Sequence, residues 1–82
     1  MGRSRKGGLT PEEDRAAAEK LVAQSSGIHI HRGAIRIDFR YQGKRCRETL
    51  KIPVTFSNVE YAINKRNTIL MEIRQGVFEI GR

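Results

Sequence analysis

From Ile28 to Leu50 the chain alternates apolar and polar residues with a period of two, and from Phe56 to Val77 the apolar spacing changes to three and four. The first pattern belongs to half-buried strands and the second to an amphipathic helix. Ile35, Ile37, Phe39 and Tyr41 alternate with Arg36, Asp38 and Arg40, so one strand face is apolar and the other charged. Gln42-Gly43 then predicts a two-residue hairpin loop in which Gly43 supplies a positive φ. That loop sets Tyr41 opposite Lys44, Arg40 opposite Arg45, Phe39 opposite Cys46, Asp38 opposite Arg47, Ile37 opposite Glu48, Arg36 opposite Thr49 and Ile35 opposite Leu50. A three-residue loop would set Phe39 against Arg45 and Ile37 against Arg47, mixing charge into the core.

Arg32-Gly33 is a second two-residue turn by the same rule. It sets His31 against Ala34, Ile30 against Ile35, His29 against Arg36 and Ile28 against Ile37. Ile28 and Ile30 thereby join the apolar face, and His29 and His31 the charged one. Two independent turns therefore predict one three-stranded antiparallel meander over residues 28–50.

A small sheet with one apolar face needs a cover. Thr55 is an N-cap, and Phe56 to Gln75 runs without Gly or Pro through the stripe Phe56, Val59, Ile63, Arg66, Leu70, Ile73 and Val77, which Ala62 and Ile69 widen. Arg66 interrupts this stripe, and its stem is expected to extend over the edge of the core. Gly76 sits where a left-handed C-terminal cap belongs, with Val77-Phe78 placed to fold back on the last turn.

Upstream, Thr10-Pro11-Glu12-Glu13 is a helix start with a capping box, and Ser25-Ser26-Gly27 ends that helix after about Gln24. Its apolar stripe is narrow, so weak docking or partial formation is expected, since about 14 residues are marginal in water. Glu12, Glu13 and Asp14 are read as favouring its dipole. The expected fold class is α+β: a three-stranded antiparallel β-sheet packed against a long C-terminal α-helix, with an additional N-terminal helix and basic tail. Residues 1–26 form the tail and short helix, and residues 27–82 the domain proper.

Two positions in this register are awkward. Glu48 falls on the apolar face, which requires a sheet edge, a bulge or a cation beside it. Arg40 opposite Arg45 is repulsive, and like charges without a local partner suggest an anionic ligand, the alternative being a solvated face.

Eighty-two residues bound the chain to one domain with a modest core. Sixteen Lys and Arg against nine Asp and Glu leave a net charge of +7, of which residues 1–8 carry +3 and residues 28–51 carry +5. Such an excess points to nucleic acid or an acidic surface. The first eight residues have nothing to bury and read either as a flexible cationic arm or as a plain disordered terminus. Cys46 is a lone cysteine, no apolar run approaches a membrane span, and the basic start lacks the apolar stretch of a secretion signal. A cytoplasmic protein without membrane contact is expected.

Candidate chemistry narrows the reading to binding. His29 and His31 share the charged face while Cys46 lies beside Phe39, so these three cannot converge on one zinc ion, and no metal or other cofactor is expected. Cys46 reads as a small buried hydrophobe. A nucleophile with an adjacent base, a phosphate loop opening a helix, and paired carboxylates in a cleft are all absent, and with them a small-molecule substrate. The charged face instead suits a β-ribbon reader of the B-DNA major groove. Arg36, Arg40, Arg45 and Arg47 would divide into base readers and phosphate clamps, supported by His29, Lys44 and Thr49, with Asp38 holding Arg47 across the strands. Phe39 and Tyr41 point to the other side, which argues against single-strand binding by base stacking.

Gly27-Ile28, Ile35-Arg36-Ile37-Asp38-Phe39, the run from Tyr41 to Leu50, Pro53-Val54-Thr55 and Gly76-Val77-Phe78 together resemble the arm-type DNA-binding domain found at the N-terminus of phage and prophage integrases of the tyrosine recombinase family. Gly43-Lys44-Arg45-Cys46-Arg47-Glu48-Thr49-Leu50 is the specific part. The resemblance spans Gly27 to Phe78 and implies a sheet that enters the major groove of arm sites flanking a recombination core. It also implies a leading domain or fragment, with a core-binding domain and a catalytic domain beyond Arg82. Tyr41 and Tyr61 are not the catalytic tyrosine of such a protein. Two other readings stay open: a protein-interaction module that presents Ile69 and Met71 of the long helix to another integrase protomer or an accessory factor, and a binder of double-stranded RNA.

Overall fold

The computed structural model describes residues 9–78, and the basic stretch over residues 1–8 lies outside them. Five elements follow in order: α1 (Pro11–Gln24), β1 (Ile28–His31), β2 (Ala34–Tyr41), β3 (Lys44–Leu50) and α2 (Phe56–Gln75). The strands form one antiparallel sheet in the order β1-β2-β3, with both helices against it or each other, an α+β architecture as the sequence pattern anticipates.

Both turns have the expected length. Arg32 and Gly33 sit at φ 53° and 76°, Gln42 and Gly43 at 54° and 79°, so each loop has two left-handed residues in the manner of a type I′ turn. The register follows residue for residue, from Ile28↔Ile37 to His31↔Ala34 in the first hairpin and from Ile35↔Leu50 to Tyr41↔Lys44 in the second. Ile28, Ile35, Ile37 and Phe39 are buried together on one side. Glu48 lies on the edge strand β3, and its carboxylate is 3.9 Å from Lys65 Nζ of α2, which resolves its place on the apolar side.

α2 covers that side. Thr55 Oγ1 accepts from the Asn58 amide at its start, and at its end Gly76, at φ 79°, closes a Schellman-type cap in which Val77 N donates to Glu72 O. The buried line of the helix is Val59, Ala62 and Ile69, flanked by Ile63, Leu70 and Ile73. The face is therefore rotated from the expected stripe: Ala62 and Ile69 are at its centre, and Val77 is exposed. Val77 turns back on the last turn through its bond to Glu72 O, and the Phe78 ring packs edge-on against Phe39 and Tyr41 with centroids 5.6 and 5.1 Å apart. Ile69, expected to be available to a partner, is 6% exposed and belongs to the buried core cluster.

α1 was expected to dock weakly or to form only in part when alone. The helix forms over all 14 residues behind its capping box, buries Ala18 completely, and packs Leu21 and Val22 on the core. Asp14 does more than favour its own helix dipole: its carboxylate accepts from the Phe56 amide, Oδ2 at 3.2 Å, and so supplies an acceptor and a negative charge at the N-terminus of α2. Ala18 of α1 and Ala62 of α2 are both fully buried, small residues that contribute little to an apolar stripe read from the sequence.

Gly27 joins α1 to the sheet and decides where β1 ends. Its carbonyl accepts from Asp38 N at 2.8 Å, but at φ +73° the chain has already turned away, leaving the Asp38 carbonyl without the strand amide that would complete the pair. Arg66 Nε of α2 takes that place, donating to Asp38 O at 2.7 Å. A Cβ on Gly27 would collide with Arg66 Nε and lie 2.7 Å from Asp38 O, whereas one on Gly43 would meet open space. Gly27→Ala is therefore expected to destabilise the fold more than Gly43→Ala, the excess being at least about 1 kcal/mol in denaturant unfolding. At the other hairpin, Gln42 pays a left-handed conformation that Asn tolerates better, so Gln42→Asn should raise stability by a few tenths to about 1 kcal/mol in the same assay.

Candidate nucleic-acid interface

The alternation in the strands gathers His29, Arg36, Asp38, Arg40, Arg45, Arg47 and Thr49 on the side of the sheet away from α2. Lys44 is the exception among the expected interface residues. It pairs with Tyr41 and so belongs by register to the other side, where it is exposed at the hairpin tip. His29 and His31 share the charged face and Cys46 lies opposite Phe39, so the sheet separates them. Among the described residues no group of three His, Cys, Asp or Glu side chains comes together as around a metal ion.

Asp38 is the one carboxylate on this face among the described residues, and its partners differ from expectation. Arg47 stands opposite it, yet Asp38 Oδ2 lies 3.1 Å from His29 Nε2, and Oδ1 lies 3.7 Å from Arg36 Nε. Its carboxylate leans toward the short strand β1 rather than across to β3. Arg36 and Asp38 are mostly enclosed, with side chains 23% and 19% exposed, while half of His29 faces solvent. At 3.7 Å the Arg36–Asp38 contact is an ion pair without a hydrogen bond, and both facing atoms lack any other partner. Arg36 is thus held in place with hydrogen-bonding capacity left over.

Arg40, Arg45 and Arg47 are exposed and form no ion pair among the described residues. Tyr41↔Lys44 closes the two-residue turn as a hydrogen-bonded pair, so Arg40↔Arg45 is a non-hydrogen-bonded pair, the type in which side chains approach most closely. Two arginine side chains therefore leave the strands from facing positions, and neither pairs with an acid among the described residues. The face is a row of arginines that no acidic side chain among the described residues neutralises.

Sequence reasoning missed one cation beside this face. Arg66 is brought to the edge of β2 by the geometry around Gly27, and its break in the apolar stripe was the signal. No helix among the described residues is long and apolar enough to cross a membrane.

The chain is a small α+β domain whose sheet is covered on one side and cationic on the other. The family model described as the arm DNA-binding domain matches residues 25–82, and the chain belongs to that family. Among its relatives is the prophage integrase IntR of Escherichia coli K12, 49% identical over 55 residues that make up 66% of this chain and 13% of that protein. The chain thus spans about an eighth of the length of that relative. No solved structure matches it. As an arm DNA-binding domain it has DNA as its partner.

If the Arg40–Arg45 pair is kept for a ligand rather than for folding, removing one member should not weaken the fold. Arg40→Ala is expected to leave thermal stability unchanged or raise it, by a few tenths up to about 1 kcal/mol, when melted without DNA.

Proposed function

We propose that the chain reads double-stranded DNA by laying the exposed face of its sheet in the major groove of arm-type sites, as the leading domain of a tyrosine recombinase acting in the cytoplasm. The observation that carries this reading is the unneutralised row Arg40, Arg45 and Arg47 beside a braced Arg36. Arginine is the side chain suited to it, because its planar fork meets either two acceptors of a guanine edge or two oxygens of a phosphate. The dimensions support the same reading: three strands place their outer members about 10 Å apart, and the B-DNA major groove is about 12 Å wide.

Roles divide by constraint. Arg36, enclosed and oriented by Asp38, suits base-edge contact, which demands fixed geometry, and His29 shares that support. Arg40, Arg45 and Arg47 are freer and suit phosphate contact, with Thr49 next to Arg36 in the pairing. Lys44 reaches a phosphate only from the hairpin tip. The similarity to a prophage integrase supports a parent protein that acts in recombination; core-binding and catalytic domains following residue 82, and neighbouring protomers on adjacent sites of one DNA, belong to the same proposal. The competing protein-interaction reading is weakened where Ile69 turns inward, since Met71 is left without it on the outer surface.

Selection from a random duplex pool followed by salt titration tests this reading. A defined motif should emerge, with affinity falling steeply as salt rises. On that motif Arg36→Ala should cost about 1 to 3 kcal/mol and relax preference at one or two positions, while mixed-sequence binding changes little. A pool that yields no motif, or tighter binding to a matched A-form RNA duplex, would contradict it.

A further inference from the structure

Beside Gly27 an open cleft of about 600 Å³ wraps from the cationic face around the edge of β2 to α2. The edge is open there because β1 pairing stops at Ile28 and the chain turns away at Gly27. Arg36, Arg40 and Arg45 line the cleft from the sheet and Arg66 lines it from the helix, over an apolar floor of Phe39 and Leu70. Asp38 is the single carboxylate in the lining, and it is already engaged by His29 and Arg36. Arg66 is anchored differently from the sheet arginines: Nε is committed to the Asp38 carbonyl, and its terminal nitrogens form no hydrogen bond among the described residues.

We infer that this cleft clamps one backbone phosphate of bound duplex, with Arg66 as its anchored member and Arg40 and Arg45 closing on the phosphate from the sheet. The inference rests on the sheet-face reading above and extends the interface to α2. A ribbon seated in the major groove meets the phosphates that rim the groove at its edges, and here the ribbon's edge carries a cationic cleft. A guanidinium fixed through Nε loses little freedom when its terminal nitrogens bind two phosphate oxygens. The apolar floor also keeps water from one side, which strengthens the attraction.

Replacing Arg66 by citrulline, through assembly of the 82-residue chain from peptide segments, preserves the Nε–H bond to Asp38 O while exchanging one terminal nitrogen for a neutral carbonyl oxygen, which removes the charge and the two-nitrogen fork. Binding to a mixed-sequence duplex should then show a log–log salt slope smaller by about 0.9 and an affinity lower by roughly fivefold to tenfold near 0.1 M salt, by the same factor on a selected site. Arg74→Gln, an exposed change on the last turn of α2 outside the cleft, should leave the slope unchanged. A single neutral methylphosphonate scanned along the duplex supplies an independent readout: one position should weaken the unmodified protein clearly more than the citrulline chain, in which only Arg40 and Arg45 still face that phosphate, while every other contacted position weakens both chains equally.

A wild-type slope with citrulline, while Arg45→Gln still reduces it, would overturn the clamp and leave the sheet-face reading standing. If neither substitution changes the slope, both fall. Millimolar inorganic phosphate that shifts the Arg66 Nε–H resonance and displaces no DNA would assign the cleft to a free anion instead, and would also overturn the proposal.

Discussion

Two dipeptides in the left-handed region, Arg32-Gly33 and Gln42-Gly43, control everything on the sheet. Because side chains alternate with a period of two, the loop length decides which face each residue joins, and a slip of one residue would exchange isoleucines for arginines throughout. With both loops at two residues, Ile28, Ile35, Ile37 and Phe39 meet α2, and Arg36, Arg40, Arg45 and Arg47 are left together on the other side. Hydrophobic burial and cationic clustering are therefore two results of one constraint. The apolar side is stabilised by its cover, and that stability allows the other side to hold charges that repel one another.

Much of this was legible in the residues because the signals were local and redundant. Each turn could be tested against the alternation of the strands on both sides of it, and only one loop length kept charge out of the core. The limits of α2 were equally legible from Thr55 and Gly76, since caps are properties of a few neighbouring residues. Glu48 was recognisable as a problem, although its partner Lys65 lies on another element.

The features that escaped are those set by tertiary approach. Ala18 looks like a weak apolar residue, yet its small size lets α1 lie close to the core. Asp14 resembles an ordinary acidic residue of a first turn, and only the docking of α1 brings it to the Phe56 amide. Asp38 has Arg47 opposite it in the ladder, but a side chain leaning diagonally reaches His29 and Arg36 instead. The partnership of Gly27 with Arg66 spans almost forty positions and depends on where β1 stops, which no periodicity encodes. The rotation of the α2 face is a similar case, since a stripe that Ala62 and Ile69 widen does not say which of its lines will be central.

The proposed recognition depends on the exposed side of the sheet being the side that meets DNA. Amide chemical-shift mapping of the chain titrated with a selected duplex measures this directly. The largest changes are expected over Arg36 to Arg40 and Arg45 to Thr49, with the outer surface of α2 around Tyr61 and Met71 unperturbed. Changes concentrated on that helical surface, with the arginine strands silent, would contradict it.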